Sequence, residues 1–185
     1  MTPRAISVDV IRIPTKGPGD VSGLTQLIET GRIDPASILA ILGKTEGNGG
    51  VNDFTREYAG SALSIALAPY LALPPAQVEE RIAFVMSGGT EGVLSPHITV
   101  FTRKLSDHDS AQKTPRDKRL SIGIAHTRNF LPEEIGRCAQ LTETTKAVAA
   151  AMADAGIDNP SDVHFVQIKC PLLTSDRIEE AHGRG

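Results

Sequence analysis

In AISVDVIRIP (5–14), Ile6, Val8 and Val10 alternate with Ser7 and Asp9, a period of two that predicts a half-buried strand. The alternation slips where Ile11 and Ile13 flank Arg12, which predicts a bulge or a strand end near Ile11. TKGPGD follows as a turn, and SGLTQLIETG predicts a short helix with Ser22 as N-cap and Gly31 as its stop. ILAILGK (38–44) is a continuous apolar run of strand length, the pattern of a strand covered on both faces. The glycine-rich TEGNGG leads into NDFTREYAGSALSIALAPYL, a helix with Asn52 or Asp53 near its N-cap. PPAQVEERI is a short helical segment opened by Pro74 and Pro75. AFVM is then a buried strand entering the Ser-Gly-Gly turn at 87–89, and HITVFTRK a strand leaving it.

RKLSDHDSAQKTPRDKR (103–119) is charged and nearly free of apolar residues, the composition of a solvated linker. Beyond it the opening pattern returns. RLSIGIAHT (119–127) alternates like a strand, FLPEEIG reads as a turn with a helical start, and TETTKAVAAAMADAG (142–156) as a helix stopped by Gly156. VHFVQIKC (163–170) is a second apolar strand that reaches a lysine. Lys44 and Lys169 lie 125 residues apart, and the opening strands, from Ile6 and Leu120, are offset by 114. So long a period predicts tandem domain-sized units and not a solenoid. The expected division is a first unit at 1–104, a linker at 105–118 and an incomplete second unit at 119–185. The Ser-Gly-Gly of a second copy would fall beyond Gly185.

Composition removes several function classes. The 185 residues carry a formal net charge of -3, which gives no electrostatic footprint for nucleic acid. Only 4% are aromatic and none is Trp, which argues against base stacking. Apolar runs are short and interrupted, so no membrane partner is expected. The N-terminus lacks the pattern of a secretory signal. Cys138 and Cys170 are too few for a disulfide framework, and reduced thiols in a cytoplasmic protein are the expectation.

Gly43-Lys44-Thr45 has the ending of a phosphate-binding Walker loop, but Ile38 stands where that loop needs its first glycine. The five histidines show no HxH or HExxH spacing and neither cysteine belongs to a CxxC, so no catalytic metal or other cofactor is expected. His97 after Ser95-Pro96 reads as a turn or packing residue. Glu46 and Glu91, each within a Thr-Glu-Gly, read as turn residues. Two strands ending on chemistry remain: one delivers Lys44, the other delivers Ser87 followed by bare glycine backbone. Each has an ordinary structural explanation, a snorkelling lysine and a common turn. Arg56 sits in a first helical turn, where a cation gains nothing from the helix dipole, and this favours a ligand-facing role.

GKTEGNGGVNDFTREY, FVMSGGTEGVLSPH, FLPEEIGR and VHFVQIKCPLLT together resemble the ring-opening amidohydrolases, the family of cyanuric acid hydrolase and barbiturase. The resemblance covers nearly the whole chain, and Cys170 after Lys169 is closer to the cyanuric acid branch. It implies an α/β fold of tandem similar units, three around a pseudo-threefold axis in a chain about twice this length. One complete unit and part of a second are expected here. Each unit would contribute a lysine, a serine and an arginine to a single site for a cyclic imide. Lys44, Arg56, Ser87 and Gly88 would form the first substrate-binding set, and Lys169 would be the catalytic base for a serine that lies downstream. The family also implies a structural metal ion in the missing C-terminal part and a homo-oligomer, a tetramer. The implied reaction is serine attack on a ring carbonyl, Lys169 taking the proton, with this chain inactive by itself. A lysine acts as a base only when neutral. Lowering it from about 10.4 to near neutrality takes about 3 units, or about 4 kcal/mol, for which burial at an apolar strand end and nearby cations are the available causes. A barbiturase, or a non-catalytic fragment that binds a small ring through Arg56 and Ser87, is the alternative.

Overall fold

A computed structural model describes residues 5–89, 94–106 and 120–184. The chain divides into two compact units, Met1–Leu120 and Ser121–Gly185. The first is an α/β unit containing β1 (Ala5–Pro14), α1 (Ser22–Glu29), β2 (Ile38–Lys44), α2 (Thr55–Leu71), α3 (Pro75–Arg81), β3 (Ala83–Ser87) and β4 (His97–Ser106). Its sheet has the order β1-β4-β2-β3. β2 and β3 are parallel, joined through α2 and α3, whereas β4 runs antiparallel to both β1 and β2.

One face of this sheet carries the core. Ile13, Ile41, Met86, Ile98 and Val100 pack with Leu24, Ile28, Leu63, Leu67 and Val78. On α2 the buried residues Ala59, Leu63 and Leu67 recur every four positions, the stripe a helix needs to lie on a sheet. Pro75 opens α3 at a position where its missing N–H costs no helical bond.

Three sequence expectations change in detail. β1 pairs with β4 one to one from Ala5–Ser106 to Pro14–His97, without the bulge expected near Ile11. The slip in its pattern has another cause. Ile11 and Ile13 share the helix-covered face with Ser7 and Asp9, which lie beyond the helices' reach and stay exposed. The irregularity in the sheet falls in β2 instead, between Ile38 and Ala40. Ser22 is the first residue of α1 and not its cap; Asp20 binds both its N–H, at 3.0 Å, and its hydroxyl, at 2.6 Å. Of the expected linker, 105–106 belong to β4, and the remainder lies outside the described residues, as does Glu91.

The second unit contains α4 (Cys138–Asp154), α5 (Ser175–His182) and single 3₁₀ turns at Pro132–Glu134 and Pro160–Asp162. The two strands expected at 119–127 and 163–170 do not form: among the described residues of these segments none enters a strand ladder. A strand exists only by hydrogen bonding to a neighbour, and no described segment of this unit supplies one. The 120–124 segment runs along the end of α4, where Ser121 Oγ donates to Ala155 O and Ile124 N donates to Asp154 Oδ2 at 3.0 Å. The Pro132 turn is tied by Glu134, which accepts from Leu131 N at 2.9 Å and pairs with Arg128 at 2.6 Å. Among the described residues of this unit only Pro132 and Ala155 are buried, while Phe165 is 74% exposed.

Replacing Ile41, fully buried in the centre of the sheet, with Ala is expected to lower the unfolding free energy of the first unit by about 2–5 kcal/mol. Ile65→Ala, on the same unit's α2 but 62% exposed, is expected to change it by less than about 0.5 kcal/mol. Urea titration followed by circular dichroism measures both.

Candidate functional site

Parallel register sets Lys44, the last residue of β2, directly beside Ser87, the last residue of β3. Neighbours in register point to the same face of a sheet, so the amine and the hydroxyl emerge together. Lys44 Nζ donates to Ser87 Oγ at 3.1 Å and to Gly88 O at 3.1 Å. Ser87 is exposed and Lys44 half-buried. On its other side Lys44 pairs with His97 of β4. The Nδ1 of His97 lies 2.6 Å from Ser95 O; a carbonyl only accepts, so Nδ1 carries the proton, as suits a turn residue.

The two loops beyond these strand ends lock together. Gly89 N donates to Gly47 O at 2.6 Å, and both Gly49 and Gly89 adopt positive φ, at 72° and 73°. Positive φ is a conformation that glycine adopts without steric cost. One of the amides available to a bound carbonyl is therefore spent between the loops. Arg56 Nη2 donates to Gly50 O, so the guanidinium is anchored to the loop that follows Lys44.

Beneath both loops lies a carboxylate. Asp53 is 7% exposed. Its Oδ2 accepts from Gly49 N at 2.9 Å, and its Oδ1 accepts from Thr55 N at 3.0 Å and from the Thr55 hydroxyl. The Thr55 hydroxyl lies 2.8 Å from that of Thr45, which reaches Ser87 O at 3.3 Å, while Thr45 N donates to Ser87 O at 2.9 Å. The hydroxyl of Thr55 is the main cause that holds the Asp53 carboxyl below its usual range; burial opposes it, and the amides of Gly49 and Thr55 and the charge of Arg56 assist.

Lys169 belongs to the second unit. It is exposed and lies on a segment that forms no strand, so neither the burial nor the strand end expected for it is found. Its approach nevertheless repeats that of Lys44 at a constant offset of 125 residues. Gly31 and Gly156 both end a helix at positive φ, 72° and 67°. Asp34 and Asn159 each accept from the N–H two residues on, at 3.0 Å, and open a 3₁₀ turn through Pro35 and Pro160. Lys44 and Lys169 each follow nine residues after those prolines. Among the described residues no three His, Cys, Asp or Glu side chains gather into a group able to hold a metal ion, and no single helix is long and apolar enough to cross a membrane.

Residues 9–185 match the family model described as amidohydrolase ring-opening protein. The chain belongs to this family. A cyanuric acid amidohydrolase of Bradyrhizobium diazoefficiens is 71% identical over 182 residues, which are 98% of this chain and 49% of that protein. One from a Pseudomonas species, strain ADP, is 61% identical over 96% of this chain and 48% of its own length. A solved cyanuric acid hydrolase structure, described as an innovation by structural concatenation, superposes with a TM-score of 0.90 at 61% identity, covering 97% of this chain and 48% of that one. The chain thus spans about half the length of the curated relatives it matches.

For this ring-opening amidohydrolase family member, sequence reasoning named Lys44, Ser87, Gly88 and Arg56 but passed over the group beneath them. Asp53 reads from sequence only as a helix-start residue, Thr45 only as the end of a Walker-like Gly-Lys-Thr that fails, and Thr55 carries no signal. An acid two residues before a threonine at a helix start hints at the local turn. Its link to Ser87 exists only after β2 and β3 pair.

Because the folded carboxyl of Asp53 titrates below its ordinary 3.8, its contribution to stability is complete above that pH and is lost as pH falls through the lower folded value. Asp53→Asn is expected to flatten this acid limb, measured as melting temperature against pH from 5 downward. An unchanged limb would place the proton uptake elsewhere.

Proposed function

We propose that the protein to which this chain belongs opens cyanuric acid by hydrolysis, and that residues 1–185 supply one substrate-binding corner and the catalytic base. The single observation that carries this reading is the Lys44–Ser87 contact of 3.1 Å at the ends of β2 and β3, in a chain 71% identical to a cyanuric acid amidohydrolase. An amine held on a hydroxyl, beside glycine backbone that lets a flat ring approach, is a hydrogen-bonding corner for one carbonyl of a cyclic imide. Arg56, anchored at Gly50, adds a cation beside that corner.

Lys169 is the general base in this scheme. Its support is the repeated geometry of its approach, 125 residues after that of Lys44. The nucleophile is a serine outside this chain, standing to Lys169 as Ser87 stands to Lys44. Its oxygen bonds to a ring carbonyl carbon as Lys169 takes the hydroxyl proton. Collapse of the tetrahedral intermediate breaks the ring C–N bond, and the leaving nitrogen takes a proton. Water then cleaves the acyl-enzyme, and the carboxylated open product loses carbon dioxide. The internal duplication, a cytoplasmic location and a homo-oligomeric state belong to the same proposal. So does a structural metal ion held outside these residues, through which no step runs.

The test joins residues 1–185 to the remaining half of the Bradyrhizobium diazoefficiens relative and follows cyanuric acid loss by chromatography. Ring opening is expected from the chimera and not from the 185-residue chain alone. Ser87→Ala is expected to lower kcat about a hundredfold, and Lys169→Ala by about a hundredfold to ten-thousandfold. A chimera that opens barbituric acid in preference would transfer the assignment to that ring. A folded chimera inactive on both would overturn the reading.

A further inference from the structure

Ser87 and Lys44 sit at the ends of two paired strands, where the ladder passes into loops. Two backbone bonds join the loops directly, Gly89 N to Gly47 O and Thr45 N to Ser87 O, and a further tie passes through one side chain. Oδ2 of Asp53 holds Gly49 N, in the loop that follows Lys44. Its Oδ1 holds Thr55, whose hydroxyl meets that of Thr45, and Thr45 binds Ser87 O through its N–H. Backbone from both loops lies flat against the same carboxylate: a Cβ placed on Gly47 or on Gly88 would collide with Asp53.

The direction of the hydroxyl chain follows from counting protons. A carboxylate only accepts, so Thr55 must donate to Asp53. The 2.8 Å contact then requires the Thr45 hydroxyl to donate to Thr55. That leaves the longer 3.3 Å approach to Ser87 O as the weaker alternative, and Thr45 N as the main donor to it. A neutral amide at position 53 removes the reason for this order.

We propose that Asp53 is a positioning residue: it ties the 45–50 loop to the 87–89 turn and so holds the Lys44 amine against the Ser87 hydroxyl. The importance of that geometry for substrate rests on the reading of Lys44 and Ser87 as a substrate corner. The tie itself does not.

Competitive acetylation of the 185-residue chain with trace acetic anhydride, resolved by peptide mass spectrometry, reports the reactivity of each lysine. Lys104, towards the opposite end of the sheet on β4, is the internal reference. Asp53→Ala is expected to change the Lys44-to-Lys104 labelling ratio several-fold, upward as the amine is released. Asp53→Asn, which keeps one accepting oxygen, is expected to give a smaller rise, and Thr55→Val, which breaks the hydroxyl chain without changing size, a rise between the two. An unchanged ratio in Asp53→Ala and Thr55→Val would overturn the proposal. So would equal release of Lys104 in all three variants, which would show a general loss of fold. The readout needs no substrate. An inactive chimera with these labelling ratios would remove the proposed reaction and leave the positioning role standing.

Discussion

The parallel register of β2 with β3 is the constraint on which the first unit's chemistry depends. Pairing Ala40 with Ala83 at one end puts Lys44 beside Ser87 at the other. A slip of one residue would turn one of the two to the opposite face. The register is fixed by the buried alternation of Ile41 and Gly43 beside Phe84 and Met86, because that face is covered by helices. Gly43 takes part directly: a Cβ there would meet the sulfur of Met86. Core packing and site geometry are therefore one requirement on the same few residues.

Much of the first unit was legible in the sequence because its signals are local. The apolar run of β2, the proline opening α3 and the glycine ending α1 each carry their own structural reason. Lys44 and Ser87 were recognisable as strand-end residues, and their proximity followed from the family resemblance. Asp53 was not legible in the same way. Its partners Gly49 and Thr55 are near in sequence, but its link to Ser87 runs through Thr55 and Thr45 to a second strand, and no periodicity encodes such a path.

The second unit failed at the level of strands for the opposite reason. The patterns in 119–127 and 163–170 are genuine, yet a pattern states only which face would be buried and does not provide the neighbour. The helical and turn signals there, which need no distant partner, were realised: α4 stops just before Gly156, which has positive φ, and a 3₁₀ turn opens at Pro132.

The apolar segment 163–173 has a consequence for handling the protein. Phe165, Val166, Ile168, Leu172 and Leu173 are all exposed on a segment without regular structure. Such a stretch is a template on which an identical stretch from another molecule could lay itself down. A charge introduced at Phe165 or Ile168 interrupts such a template.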